Sequence, residues 1–261
     1  MENPVESFEK SFSEYTRAKH SVAVNNGTAA LLAAIDSLGL PKGSKIITTP
    51  FSFPATSNAI ILSGHKPVFV DICSDFQINP VEVKNAGDAQ AILVVHLFGR
   101  PCRVKKIRED SPHLQIIEDC SQAVGLRIEG QHVGTFGKAG TFSFYASKNL
   151  STFEGGMMIT NDDDVAIIAR RFINHGFEGT DMIDMGYNFK MPWINAFIGE
   201  QTLKLHKPGI EAELGRYGAK DGYYKKLIYQ HSWYKNHPEK WESYPCPIAE
   251  HIANAVKNNE Y

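Results

Sequence analysis

Short runs of apolar and β-branched residues alternate with stretches of helical pattern, and this alternation constrains the fold most strongly. Helical patterns fall between several of these runs, notably at residues 28–38 and 54–62. A strand, a helix and a further strand in this order form a crossover unit, which builds a largely parallel sheet. The predicted strands are residues 21–24, 45–49, 67–71, 91–98, 114–119, 141–145 and 157–160.

Two of these runs, KPVFVDI and QAILVVHLFG, are apolar at successive positions rather than at alternate ones. Successive side chains of a strand point to opposite faces of the sheet, so both faces of these strands should be buried. The sequence therefore predicts an α/β fold with three layers, αβα, and a mostly parallel sheet in the middle.

The charge balance excludes some classes of partner. The chain has 261 residues, with 27 Lys and Arg against 29 Asp and Glu, which gives a net charge of -2. This balance offers no electrostatic footprint for a nucleic acid or an anionic membrane. Hydrophobic residues make up 43% and charged residues 21%, which is typical of a folded globular protein.

The cysteines and the absence of long apolar runs predict a reducing compartment. Cys73, Cys102, Cys120 and Cys246 form no C-x-x-C pair and no zinc-knuckle spacing. No apolar run reaches the length of a membrane span, and the first residues carry no apolar leader pattern. We expect a soluble, unprocessed cytoplasmic protein with reduced thiols.

The segment VNNGTAAL is a first candidate binding site, since a strand runs through a glycine turn into a helix. With Thr28 as the predicted cap, the start of this helix would offer free N–H groups, a hydroxyl and the positive end of the helix dipole to a phosphate. A capped helix without a ligand is the alternative. The segment matches neither a P-loop nor a dinucleotide-binding turn.

A second candidate is Asp119, which an apolar strand delivers to its carboxyl end in IIEDCSQA. Ligands of open α/β sheets bind at that end of the strands. A buried carboxylate needs a cationic partner, and a protonated heterocyclic nitrogen would serve. The alternative is that Asp119 caps a following helix.

A third candidate is Lys148, which follows an aromatic strand in TFSFYASKN and precedes the glycine pair of FEGG. Partial burial in such a turn would lower the pKa of its amine and make it a usable nucleophile. Ser143, five residues earlier, offers a hydroxyl to an anion. A solvated loop lysine is the alternative.

The chain resembles the DegT/DnrJ/EryC1/StrS family of sugar aminotransferases, which are pyridoxal-phosphate enzymes with the aspartate aminotransferase fold. The matching segments keep the order and the approximate spacing of the family over residues 22–205. They are NNGTAALLAA, TTPFSFPATSNAI, PVFVDI, VHLFGRPC, IIEDCSQAVG, FSFYASKN with FEGGMMITND, and GYNFKMPWINAFIGEQ.

The resemblance implies a role for each matching site residue. Lys148 would form the Schiff base with pyridoxal phosphate, and Asp119 would pair with the pyridine nitrogen. Gln122 would lie near the phenolic oxygen of the ring, and Phe53 would stack on its face. In chemical terms these roles suit a turn lysine and a carboxylate at a strand end.

The resemblance further implies a phosphate site and a homodimer. Asn188 would reach the phosphate from the partner subunit. The residues that would hold the phosphate within the chain are Gly27, Thr28, Ala29 and Ser143. No metal site is predicted, because three consecutive carboxylates at 162–164 cannot converge on one ion, and they are interpreted as a helix start.

The reaction implied by the resemblance is a ping-pong amino transfer from an amino acid, by resemblance glutamate, to a keto sugar that is usually nucleotide-linked. Two alternatives remain open at this point. One is a pyridoxal-phosphate sugar dehydratase, although a histidine replaces the lysine in that branch and Lys148 opposes it. The other is a non-catalytic protein that keeps the fold and has lost its substrate domain.

The chain departs from the family at several places. Residues 1–206 are predicted to form the cofactor-binding large domain, and residues 207–261 a reduced C-terminal region. Within this region we expect residues 207–227 to continue a helix and residues 248–257 to form a terminal one. Lys190 stands where the family usually has arginine, and lysine cannot clamp an anion in bidentate fashion. Pro54 follows the predicted stacking aromatic Phe53, at a position where the family usually has a small β-branched residue. His96 is interpreted as a structural hydrogen-bonding residue.

Overall fold

The alternation of strands and helices is observed in a computed structural model of the protein, which describes residues 3–215 and 224–258. The strands are β1 (His20–Val24), β2 (Lys45–Thr48), β3 (Lys66–Phe69), β4 (Ala91–Val95), β5 (Gln115–Asp119), β6 (Arg127–Ile128), β7 (Gln131–His132), β8 (Ala139–Ser143), β9 (Gly156–Thr160), β10 (Phe177–Glu178), β11 (Asp181–Met182) and β12 (Glu242–Ser243). The α-helices are α1 (Pro4–Thr16), α2 (Gly27–Asp36), α3 (Ala55–Leu62), α4 (Pro80–Asn85), α5 (Val104–Asp110), α6 (Asp163–Phe172), α7 (Trp193–Ala212), α8 (Ser232–Asn236) and α9 (Pro247–Lys257).

The described residues form one large sheet of eight strands in the order β1-β9-β8-β5-β4-β2-β3-β12. Neighbouring strands pair in parallel from β8 through to β12. Strand β9 pairs antiparallel with both β1 and β8. The sheet is therefore mostly parallel, as the sequence predicts, and the carboxyl ends of β4, β5 and β8 meet at one edge.

Both faces of the sheet are buried, and β4 shows how. Leu93 and Val95 pack into one core cluster with residues of α2 and α9. Ile92 and Val94 belong to another cluster on the opposite face, with residues of α4 and α5. This alternation explains why the run is apolar at every position, and the three-layer α/β fold is confirmed.

Most predicted strands agree with the observed ones within two residues, but the predicted strand 91–98 ends early at Val95. Leu97–Gly99 forms a single 3-10 turn instead. Phe98 adopts the left-handed conformation, with φ of 56°, which is rare for a bulky residue and incompatible with a continuing strand. The prediction was wrong here because the apolar residues Leu97 and Phe98 are buried within a turn and not within an extended strand.

The C-terminal region packs on the same sheet as the rest of the chain. Helix α7 crosses the predicted boundary at 206/207 and is irregular at His206, two residues before Pro208. The predicted terminal helix is observed as α9. Asp71, which is buried after β3, accepts hydrogen bonds from the amides of Ile248 and Ala249 in the first turn of α9. Part of the helical continuation predicted over 207–227 lies outside the described residues.

We expect Asp71→Ala to loosen α9, because the substitution leaves two helix amides without their acceptor. Loss of a capping side chain costs about 1–2 kcal/mol of folding free energy. Urea unfolding of the purified protein measures this loss, and limited proteolysis should cut within α9. Asp71→Asn, which keeps one carbonyl oxygen, should lose less than Asp71→Ala; equal losses would contradict the capping role.

None of the helices over residues 3–215 and 224–258 is long and apolar enough to cross a membrane.

Candidate active site

A cavity of about 420 Å³ opens where the carboxyl ends of β4, β5 and β8 meet the start of α2. The position agrees with the general rule that ligands of α/β sheets bind at this edge. The cavity is lined by Asn26, Gly27, Thr28, Leu31, Ser52, Phe53, Ala55, Thr56, Val95, Leu97, Asp119, Ser121, Gln122, Ser143, Tyr145, Lys148, Glu154 and Tyr224. Seven of the nine predicted site residues are therefore brought together, although the sequence separates them widely.

The start of α2 forms one end of the cavity. The cap is Asn26 rather than the predicted Thr28: its side-chain Oδ1 accepts from the amide of Ala29 at 2.8 Å. Thr28 lies inside the helix, because the chain already turns helical at Gly27. The first intrahelical bond runs from Ala30 N to Asn26 O, so the amides of Gly27 and Thr28 precede the hydrogen-bonded ladder and are available to an anion.

Gly27 allows α2 to approach β8 closely. A Cβ atom at this position would lie 2.7 Å from Ser143 Cβ, closer than two carbon atoms can pack. The missing side chain therefore brings the helix amides and the Ser143 hydroxyl to the same end of the cavity. Together with the dipole of α2 they make a cradle suited to a phosphate.

Gly27→Ala should weaken phosphate binding at this cradle without weakening the helix itself. Alanine is the better helix former by about 1 kcal/mol, so any loss comes from pushing α2 away from Ser143. We expect the dissociation constant for inorganic phosphate or pyridoxal phosphate to rise roughly tenfold, the equivalent of one hydrogen bond to a charged group. Isothermal titration calorimetry measures this change.

The matched control is Gly209→Ala, a glycine of α7 whose added Cβ would meet no atom within 4 Å. It should leave the affinity unchanged. Equal affinities of the two alanine variants would rule out the cradle.

Asp119 ends β5 inside the cavity and is 5% exposed. One carboxylate oxygen accepts from the amide of Ser121 at 3.0 Å, and the other accepts from the Thr56 hydroxyl at 3.3 Å. Turns rather than a helix follow Asp119, so the alternative that it caps a helix does not hold. Thr56 is a site residue that the sequence analysis missed, although it lies within the segment that matches the family.

Lys148 lies on the loop between β8 and β9. Two backbone hydrogen bonds close the base of this loop, from Phe144 N to Gly155 O and from Thr152 N to Phe144 O. Lys148 is half-buried and lines the cavity, so it is not a solvated loop lysine. Burial lowers the pKa of its amine below the ordinary value, and the Asp119 carboxylate opposes this shift in part.

The lowered pKa of Lys148 predicts a distinct pH dependence of its reactivity. Only the neutral amine attacks a carbonyl carbon, and a lower pKa makes the neutral fraction larger at any pH below the ordinary range. Trapping with pyridoxal phosphate and borohydride between about pH 6 and about pH 10, followed by peptide mass spectrometry, should give Lys148 a labelling midpoint below that of a lysine in an unstructured reference peptide. Coincident midpoints would show that burial does not act on this amine.

Gln122 is held on two sides. Its Oε1 accepts from the amide of Phe98 at 2.7 Å, and its Nε2 donates to the Tyr224 hydroxyl at 3.3 Å. Phe53, which is 58% exposed, lines the same cavity. Tyr224 comes from the C-terminal region, and no sequence motif marked it as a site residue.

Two predicted site residues lie away from this cavity in the chain. Ala29 is deeper in α2 and its amide is already bonded to the Asn26 cap. Asn188 is exposed and lines a separate cavity of about 640 Å³, together with Arg170 and Trp193. Within the chain, Asn188 therefore takes no part in lining the candidate active site.

Behind the cavity, Glu118 and His96 form a fully buried network. The carboxylate of Glu118 accepts from the amides of Gly134, Phe136 and Gly137 and pairs with His96 Nε2 at 2.9 Å. The amide of Cys102 donates to His96 Nδ1, so the proton of the neutral imidazole lies on Nε2 and is donated to Glu118. His96 thus makes the structural hydrogen bonds that the sequence predicts.

Comparison with known proteins identifies the family. The sequence profile of the DegT/DnrJ/EryC1/StrS aminotransferase family matches residues 2–211. The chain belongs to this family. The match covers every element that lines the cavity except the C-terminal segment with Tyr224, and it confirms the resemblance on which the predicted residue roles depend.

Individual relatives show the same likeness. GDP-perosamine synthase of Escherichia coli O157:H7 is 37% identical over 212 residues, which cover 77% of this chain and 58% of that protein. The crystal structure of DesI with its TDP-sugar product has a TM-score of 0.73 at 32% identity and covers 78% of this chain and 53% of that one. An aminotransferase of this family from Brucella abortus has a TM-score of 0.84 at 26% identity, over 96% of this chain and 83% of that one.

The chain thus spans less than two thirds of the length of the first curated relatives that it matches. The family implies pyridoxal phosphate as the cofactor, which confirms that prediction. The cavity fits this group chemically: it presents a phosphate cradle at Gly27, a carboxylate at Asp119 and a partly buried amine at Lys148.

Proposed function

We propose that this chain is a pyridoxal-phosphate-dependent aminotransferase that moves an amino group from glutamate to a nucleotide-linked keto sugar. The observation that carries the proposal is the convergence of Lys148, Asp119 and the start of α2 on one cavity. The relatives support the sugar substrate, since one is a GDP-perosamine synthase and another was crystallised with a TDP-sugar product.

When bound, pyridoxal phosphate supplies an aldehyde carbon that primary amines attack and a protonated ring nitrogen that withdraws electrons. Lys148 would hold the cofactor covalently through Nζ. Its Nζ would also act as general base and acid, taking the proton from the donor Cα and delivering it to the carbon of the cofactor that derives from the aldehyde. A lowered pKa favours the neutral form of the amine, which this exchange requires.

Asp119 would hold a proton on the ring nitrogen. Its carboxylate is buried at the strand end and fixed by Ser121 and Thr56, so little reorganisation is needed when a cation approaches. Gln122 would donate its second Nε2 proton to the phenolic oxygen of the ring, and Phe53 would cover the ring face.

Binding of the phosphate would be shared between α2 and β8. The amides of Gly27 and Thr28, the Thr28 hydroxyl and the Ser143 hydroxyl would donate to its oxygens. Leu31, Val95 and Leu97 contribute apolar walls to the remainder of the cavity.

We further propose that the enzyme is a homodimer in which Asn188 of one subunit reaches the phosphate of the other. Large apolar side chains around Asn188 in the chain are exposed, with Met185 at 79%, Trp193 at 65% and Ile194 at 64%. An exposed apolar surface of this kind is typical of a protein interface. Light scattering should give twice the mass of one chain, and Asn188→Ala should weaken cofactor binding without dissociating the dimer.

The test of the proposed activity is a half-reaction followed by absorption. The purified protein is mixed with pyridoxal phosphate and its visible band is recorded before and after glutamate is added. The band should bleach with glutamate and return when a nucleotide-linked keto sugar is supplied. A band that forms but responds to no amino donor would favour the non-catalytic alternative, and no band at all would overturn the cofactor assignment.

A further inference from the structure

The C-terminal segment contributes Tyr224 to the wall of the candidate active site, a position outside the part of the chain that matches the family profile. Tyr224 is 6% exposed. Its ring packs edge-on against Phe51, with 5.5 Å between centroids, and tilted against Phe98, with 5.8 Å between centroids. Packing of the ring therefore fixes the tyrosine independently of its hydroxyl.

Tyr224, Gln122 and Phe98 form a closed ring of contacts. The Tyr224 ring touches the Phe98 ring, the Phe98 amide donates to Gln122 Oε1, and Gln122 Nε2 donates to the Tyr224 hydroxyl. Since a backbone amide can only donate, Oε1 of Gln122 must face Phe98 and its NH₂ group must face Tyr224. The Phe98 amide thus sets the orientation of the Gln122 amide group, and the Tyr224 hydroxyl anchors its NH₂ end.

The strained backbone of Phe98 supports this interpretation. A phenylalanine with φ of 56° is strained and persists only when its surroundings hold it. Gln122 holds its amide and Tyr224 holds its ring. Such strain concentrates at functional sites.

We propose that Tyr224 is a positioning residue for the aminotransferase reaction: it holds the Gln122 amide so that the second N–H of Nε2 is directed at the cofactor ring. This inference rests on the proposed function, since it assumes that Gln122 contacts pyridoxal phosphate. The C-terminal region then helps to build the site as well as to cover the sheet.

A double-mutant cycle tests the proposal on the full chain. Tyr224→Phe keeps the ring and removes the hydroxyl, and the loss of one hydrogen bond should raise the dissociation constant for pyridoxal phosphate roughly threefold to tenfold. In a Gln122→Ala background the same substitution should change it less than about twofold, because the interaction it would break is already gone. Fluorescence titration measures all four constants.

The control is Tyr234→Phe, which removes a buried tyrosine hydroxyl that bonds Ser57 and Asn58 outside this cavity. It should leave the affinity for pyridoxal phosphate unchanged. Equal losses from Tyr224→Phe in both backgrounds would show a merely structural role, and no loss in either would overturn the proposal.

Amide hydrogen exchange provides a readout without any cofactor. Tyr224→Phe should raise the exchange rate of the Phe98 amide several-fold, because its acceptor Gln122 is no longer anchored; an unchanged rate would contradict the proposed anchoring. If the wild-type protein binds no pyridoxal phosphate, the proposed function fails by itself. If it binds and the variant binds equally, only the role of Tyr224 fails.

Discussion

Lys148→Ala is expected to lower the rate of amino transfer by a factor on the order of 10⁴ or more, since loss of an essential catalytic group has effects of this size. The amine that would bind the cofactor covalently and then carry the proton is removed, while the phosphate cradle at Gly27 and Ser143 stays intact. The variant should therefore still bind pyridoxal phosphate but show no visible band of the covalently bound cofactor. Steady-state kinetics and absorption measure the two effects.

The matched control is Lys138→Ala, immediately before β8. Lys138 is exposed and pairs with Asp162 at 2.7 Å, and surface pairs of this kind contribute at most about 1 kcal/mol. Its activity and its spectrum should equal those of the wild type. A Lys148→Ala protein that keeps even a tenth of the activity would remove Lys148 from the mechanism.

Glu118→Gln should lower the stability of the protein and Asp119→Asn its activity, although the two acids are neighbours on β5. All four partners of Glu118 are donors, namely His96 and the amides of Gly134, Phe136 and Gly137. A glutamine would point its own NH₂ group at two of them. We expect a loss of about 3 kcal/mol in the free energy of unfolding, from buried donors left without an acceptor.

Asp119→Asn meets a different environment. The asparagine oxygen can accept from Ser121 N, and its NH₂ group can donate to the Thr56 hydroxyl, which accepts as well as donates. The fold should be kept. The rate of amino transfer should fall by about 10²-fold or more, because a neutral side chain no longer holds a proton on the ring nitrogen.

Thermal unfolding and activity assays on both variants separate these effects. A loss of about 3 kcal/mol in Glu118→Gln corresponds to a decrease of roughly 6–12 °C in the melting temperature, and Asp119→Asn should melt near the wild type. A reversed result, with Asp119→Asn unstable and Glu118→Gln merely inactive, would exchange the structural and functional assignments of the two acids.

The fold was largely predictable because a strand that is buried on both faces has apolar residues at successive positions, a pattern visible in the local sequence. The runs at 66–72 and 90–99 show it, and the observed strands β3 and β4 lie within them. The apolar pattern of helix α1 is weaker. Phe8 and Phe12 are fully buried against Phe142 and Phe144, but the three residues between Phe8 and Phe12 are polar. The sequence pattern does not predict this helix.

The candidate site was predictable where a family motif carries the chemistry, as at Lys148 and Asp119, and the residue roles themselves stay predictions. No sequence motif pointed to Tyr224, because its place in the cavity results from the path of a distant segment. The cap of α2 was assigned to Thr28 rather than Asn26, since four adjacent residues, 25–28, are of types that serve as caps and only the backbone conformation decides between them.

The short strand β12 has a consequence for behaviour at high concentration. Exposed sheet edges recruit strands from other molecules, and short, charged or proline-bearing edges prevent this. β12 has only two residues, the Glu242 carboxylate is bound by Lys45 at 3.0 Å and by Lys66 at 2.9 Å, and Pro245 and Pro247 follow. The C-terminal segment thereby shields the apolar strand β3 and protects this side of the protein from edge-to-edge aggregation.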